Sequence, residues 1–172
     1  MRYFIFLFIA MALSGCGFQL RGSTPPNPAL QDLYIKTSAP YSEVTHNLRE
    51  YLNVSGIQVA DTQQDAAIVL QILSETENQI LLSVSGTAQT RQYNLILTIA
   101  FQVTNNKGTI LVPPQTLSEN RTLTVLSNQI LGGSNEQTML YQQMRQAIVY
   151  DILNRLGSRD IIATLINQKT HP

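Results

Sequence analysis

The sequence predicts an α+β fold, a two-layer sandwich in which two helices pack on one face of a four-stranded, mixed and mostly antiparallel sheet. Three observations predict it. One stretch alternates apolar and polar residues over more than ten positions, beyond the usual strand length of about 5–6 residues. Two other segments repeat apolar residues at helical spacing, each on one side only. Glycine- and asparagine-bearing turns separate the β-prone runs, as hairpins require. One-sided helices and one-faced hairpins bury their apolar surface most economically against each other.

The chain opens with Met1, Arg2 and then the almost wholly apolar run Tyr3 to Leu13. One positive charge followed by roughly ten apolar residues is the layout of a secretory signal peptide, and a spanning helix would need about 20. The run ends in Leu13-Ser14-Gly15-Cys16, the pattern of a bacterial lipobox. Small side chains let the backbone enter a peptidase inside the membrane, and the thiol is the nucleophile that accepts the lipid. Cleavage is expected between Gly15 and Cys16, leaving an S-diacylglyceryl, N-acyl Cys16 as anchor. Several acyl chains at one site hold durably, at about 0.8 kcal/mol per buried CH₂. Gly17 stands where inner-membrane retention usually places aspartate, so the expected location is the outer membrane, facing the periplasm.

Cys16 is the only cysteine, which leaves none for a disulfide, a thiolate metal site or a redox motif. Eleven basic residues balance eleven acidic ones, so nothing points to nucleic acid or a broad anionic surface. After cleavage, about 155 residues suit a single domain. The expected organisation is a signal peptide over 1–15, a lipidated and proline-rich tether over 16–30, the α+β domain over 31–160 and a flexible tail over 161–172.

In the tether, Pro25, Pro26 and Pro28 hold the chain extended. A short strand is expected at Leu33 to Lys36. Residues 40–55 then read as a helix: Pro40 suits the first turn, Glu43 the positive end of the dipole, and Gly56 the stop. Val44, Leu48, Tyr51 and Leu52 form its apolar stripe. The compact run Ala66 to Leu73 suggests a central strand. Glu75 and Glu77 follow on a polar hairpin flank, and Gly86 marks the turn before the next strand. That strand is the clearest: Tyr93, Leu95, Leu97, Ile99, Phe101 and Val103 alternate with mostly polar partners, so one face is covered.

Residues 104–108, Thr-Asn-Asn-Lys-Gly, form a second hairpin turn. A strand from Thr109 to Val112 is interrupted by Pro113-Pro114 and resumes around Leu117 to Leu126, which makes it an edge or bulged strand. Ser134 with Gln137 reads as a capping box opening the last helix. Leu140, Met144, Ile148, Ile152 and Leu156 mark its buried side, and Gly157 follows as its C′ residue. After about Ile162 the signals weaken and a frayed tail is expected.

No catalytic or metal-binding motif is present. His46 and His171 lie far apart, and no nucleophile elbow, HExxH, phosphate loop or EF-hand pattern occurs. Glu75 and Glu77 share a strand face, but a solvated flank explains them better than a catalytic pair. No enzyme and no cofactor besides the Cys16 lipid are expected. The polar spacers of the strands are Thr, Gln, Asn and Ser in place of Lys and Glu, a surface that suits another protein's polar lining, such as the interior of a barrel.

Taken in order, Cys16-Gly17-Phe18-Gln19-Leu20-Arg21, the Gln92-Tyr93-Asn94-Leu95 strand entry and Asn135-Glu136-Gln137 at the last helix resemble the LptE family of lipopolysaccharide-assembly lipoproteins. The resemblance covers the mature chain to about Leu156. It implies a protein seated as a plug, one to one, in the lumen of the outer-membrane β-barrel LptD, aiding that barrel's folding and lipopolysaccharide delivery. It also implies two helices on a four-stranded sheet. Some members place basic residues at the hairpin tip and before the last helix to meet lipopolysaccharide phosphates. Here those neighbourhoods hold Ser85-Gly86-Thr87 and Gly132-Gly133-Ser134. Arg91, Lys107 and Arg121 are the nearest basic substitutes. The alternative function is an outer-membrane-anchored periplasmic lipid shuttle, which would need an apolar cavity; a hydrolase with an unrecognised site is a third reading.

Overall fold

The computed structural model describes residues 30, 32–86, 89–126 and 130–170. The signal peptide with Gly15 and Cys16, nearly all of the tether, Thr87 and His171 lie outside the described residues. The elements are β1 (Leu33–Lys36), α1 (Glu43–Val54), β2 (Ile68–Val84), β3 (Thr90–Asn105), β4 (Ile110–Leu126), α2 (Ile130–Leu156) and α3 (Arg159–Thr170). The sheet order is β1-β2-β3-β4. β1 pairs parallel with β2 through the α1 crossover, and the other two pairings are antiparallel. The predicted α+β sandwich on a mixed four-stranded sheet is thus present, with three helices among the described residues in place of two.

β3 organises the core. Leu95, Leu97, Ile99, Phe101 and Val103 are all buried. Against them pack Val44, Leu48 and Leu52 of α1 and Met144, Ile148, Val149 and Ile152 of α2, within one continuous cluster. α2 lies across β4 and β3 and touches α1.

Several local readings are corrected. α1 starts at Glu43, not Pro40, because Ser42 supplies the N-cap: its hydroxyl accepts the Thr45 N–H at 3.1 Å. Thr45 is buried because its Oγ1 donates to the Ala39 carbonyl, whereas Tyr51 sits at the rim of the stripe, 38 % exposed. Gly56 does end this helix, at φ 77°. In the second hairpin only Gly108 takes positive φ, at 88°, while Asn105 Oδ1 accepts the N–H groups of Lys107 and Thr109.

β2 continues without a break through the polar stretch Ser74 to Gln79, because all of β3 lies beside it as a template, from Ile68↔Asn105 to Val84↔Arg91. β4 likewise runs unbroken through Pro113-Pro114. It lies at the sheet edge and shifts register between Phe101 and Thr104 of its partner, so it is both edge and bulged.

α2 begins at Ile130, so Ser134 is an interior residue whose carbonyl accepts from Thr138 Oγ1, and the capping box is not used. Gly133 allows α2 to lie close on β4: a Cβ there would sit 2.9 Å from Val125 Cγ1. Gly157 follows the helix without positive φ, donating its N–H to the Leu153 carbonyl. In place of the frayed tail, residues Arg159–Thr170 form α3, with Ile161, Ile162 and Leu165 buried against α2 and β4. The Ser158 hydroxyl, then backbone hydrogen bonds, hold the Asp160 carboxyl below its usual range at the start of this helix.

Candidate interaction surfaces

Because side chains alternate across a strand, the sheet has two unlike faces. The face away from the helices is mostly polar: it carries Thr76, Asn78 and Ile80 from β2, Gln92, Asn94, Ile96, Thr98, Ala100 and Gln102 from β3, and Thr116, Ser118, Asn120, Thr122 and Thr124 from β4. Over these three strands it bears no charged side chain. Cross-strand hydrogen bonds tie it together: Gln102 Nε2 donates to Gln71 Oε1 at 2.9 Å, Ser83 Oγ to Gln92 Oε1 at 3.0 Å, and the Thr98 and Ser118 hydroxyls meet at 3.2 Å. Such a face offers many weak donors and acceptors with no ionic desolvation cost.

On the helix side, a register shift in β2 between Ile72 and Ser74 changes which residues point inward. Before it, Leu70 and Ile72 face the helices; after it, Glu75, Glu77 and Gln79 do, opposite Ile99, Leu97 and Leu95. Arg145 of α2 meets this acidic stretch. Its Nε and Nη2 donate to Glu77 Oε1 at 3.2 and 2.6 Å, and its Nη1 donates to Glu43 Oε2 of α1 at 2.5 Å. The guanidinium also lies 5.8 Å from the Tyr141 ring centroid. The Tyr141 hydroxyl donates to the Asn78 carbonyl at 3.2 Å, and burial, then the Glu77 charge, push its pKa up against the opposing pull of Arg145. It therefore stays a neutral donor.

Arg145 is a residue that the sequence reading missed. The signal was a charged residue one step from the buried Met144, on the margin of the apolar stripe. Arg145→Met is expected to cost about 1 kcal/mol, since charge-assisted bonds are lost but both carboxylates keep access to water. Urea titration at low and high salt checks this: the deficit narrows at about 1 M NaCl, where exposed ion pairs are screened.

The three basic candidates do not form one site. Arg91 lies at the start of β3 on the helix side, opposite Val84 and Val125. It borders a groove of about 410 Å³ with Gln79, Ser134 and Gln137 at its polar rim and Tyr93, Leu123 and Val125 as its floor. Gln137 Nε2 bridges to Gln79 Oε1 at 3.2 Å. Lys107 sits in the turn at the opposite end of β3, ~50 Å away at 3.3 Å per residue. Arg121 is on the β4 edge, where Nη1 binds Glu119 at 2.9 Å and the Asn120 carbonyl at 2.7 Å. The acidic pair is likewise divided, with Glu77 engaged by Arg145. Among the described residues no three His, Cys, Asp or Glu side chains gather as a metal site would need.

The described residues define a two-layer α+β domain, with helices on one side, an uncharged, mostly polar face on the other and a groove at one end. The chain belongs to the LptE family: the family model, described as lipopolysaccharide-assembly, matches residues 30–156. It is 29% identical over 171 residues to the LPS-assembly lipoprotein LptE of Pectobacterium atrosepticum, covering 94% of this chain and 91% of that one. It is also 29% identical to the protein of the same name from Yersinia enterocolitica, over 85% of this chain and 70% of the relative. Among solved structures it resembles an uncharacterized lipoprotein B of Nitrosomonas europaea at a TM-score of 0.70 and 25% identity, covering 88% of this chain and 96% of that one. Rare lipoprotein B of Shewanella oneidensis superposes at a TM-score of 0.65 and 25% identity, over 75% and 96% of the two chains.

Proposed function

We propose that this chain is an outer-membrane lipoprotein of lipopolysaccharide assembly that seats in the lumen of an LptD-type β-barrel, one to one, and assists its folding. The uncharged polar sheet face carries this reading. A barrel interior is polar, and hydroxyl and amide groups can exchange water for its side chains without burying an unpaired charge. The lipid on Cys16 would hold the domain at the periplasmic mouth, with the proline-rich tether as spacer. No reaction is involved; the action is shape and hydrogen-bond complementarity. The test is a detergent pull-down of the tagged, lipidated protein. Recovery of the barrel at about one copy per lipoprotein is expected, and a preparation free of barrel overturns the reading.

Lipopolysaccharide contact is assigned to the Arg91 groove, where one guanidinium stands beside an apolar floor and can meet a phosphate. Arg91→Glu is expected to weaken lipopolysaccharide binding by the isolated protein about tenfold, whereas Lys107→Glu changes it less than twofold. Equal losses at both positions would remove the groove from consideration.

A further inference from the structure

β2 is seventeen residues long, yet β1 pairs with it only from Ile68 to Gln71. Among the described residues nothing pairs with its outer edge from Ile72 to Val84, a length of roughly 40 Å. The direction of its main-chain groups follows from the ladder. Ser85 and Thr90 bond across β2 and β3, and Asn105 and Thr109 across the next hairpin. With the register Thr76↔Thr98 and Asn78↔Ile96, alternation turns the N–H and C=O of Glu75, Glu77 and Gln79 outward. The other sheet edge, β4, carries Pro113-Pro114, bulges and the Glu119–Arg121 pair, devices that discourage strand addition. The β2 edge also shifts register, between Ile72 and Ser74 and between Leu81 and Ser83, and it bears Glu75 and Glu77. Its stretch from Ser74 to Leu81 is regular, however, it has neither proline nor lysine, and it ends in the half-exposed Ile80, Leu81, Leu82 and Val84.

We propose that this edge receives an extended segment of the barrel partner as a fifth strand. The inference rests on the barrel reading above and adds the mode of contact. A row of outward peptide groups is matched by another peptide strand, not by a lipid. The chain's own tether joins at Leu30, beside β1 and at the far end from this edge. A second copy fits badly: the antiparallel register covering the whole edge centres on Asn78 and sets Glu77 diagonal to its counterpart, with Glu75 on the same face, so like charges oppose it. Glu75 has no hydrogen bond or ion pair among the described residues, whereas Glu77 is held by Arg145. The incoming strand therefore carries a basic side chain where it passes Glu75 and apolar ones where it passes Leu81 and Leu82.

Amide hydrogen exchange on the lipoprotein, alone and in its detergent-solubilised barrel complex, tests this. The N–H groups of Glu75, Glu77 and Gln79 are expected to exchange at least tenfold more slowly in the complex. Those of Thr76 and Asn78, already bonded to β3, should change little. Unchanged rates in a complex that does form would overturn the strand addition and leave the barrel reading standing, whereas failure to recover any barrel overturns both. Concentration-dependent protection in the isolated chain would assign the edge to a second copy and also overturn it. A full-length Glu75→Pro, Val84→Pro variant removes two outward donors at positions where an edge strand tolerates proline. It is expected to melt as wild type does and to recover at least fivefold less barrel; undiminished recovery would sink the proposal.

Discussion

Phe101→Ala is expected to destabilise the domain by about 3–5 kcal/mol, the usual cost of deleting a fully buried phenylalanine. Phe101 is wholly inaccessible and stands on β3 opposite Ile72 and Gln115, within the cluster shared by α1 and α2. It also lies where two irregularities converge: the β2 register shift follows Ile72, and the β4 bulge beside Pro113-Pro114 begins past Gln115. Neither strand can slide to fill the void without moving its own bulge, so relaxation is limited and the upper half of the range is expected. Domain stabilities of about 5–15 kcal/mol make such a loss severe, with a melting temperature lower by on the order of 10 °C. Urea unfolding followed by circular dichroism measures it. A loss below 1 kcal/mol would mean that the helices do not close over β3 at this level. Leu117→Ala, at a half-buried position on β4, should cost well under half as much.

Cys16→Ala is expected to abolish lipid anchoring at the outer membrane. In the proposed function the anchoring energy would reside in the acyl chains, at about 0.8 kcal/mol per buried methylene, and only a thiol at this position could receive the diacylglyceryl group. The folded domain offers no replacement, since among its described residues no helix is long and apolar enough to cross a bilayer. The variant should accumulate with its leader uncleaved, or appear free in the periplasm, while keeping the melting curve of the lipid-free domain. Mass spectrometry of wild type should find the leader removed and acyl groups on residue 16. An unmodified thiol there would remove the anchor from the proposed function.

The residues that align most plainly with their final places are those whose pattern is local. Leu95 to Val103 alternate and are buried in alternation. Met144, Ile148 and Ile152 recur at helical spacing and face the core, and Gly56 and Gly108 stand where the backbone needs positive φ. Ser74 to Gln79 show the opposite case. Their composition suits a solvated flank, and only a long neighbour supplying ladder partners makes them strand. Ile161, Ile162 and Leu165 are too few to announce a helix alone, yet α2 and β4 give them a surface to bury against.

The sequence alone determined the one-sided strands and helices and their order, because each follows from neighbours a few residues apart and from the preference of apolar groups to leave water. Only the tertiary structure decided which carboxylate Arg145 grips, which of three basic residues reaches a groove, and how much of β2 remains unpaired. Those outcomes depend on one-residue bulges that flip side chains across the sheet and on contacts between residues 68 to 102 positions apart, separations at which no local pattern carries information.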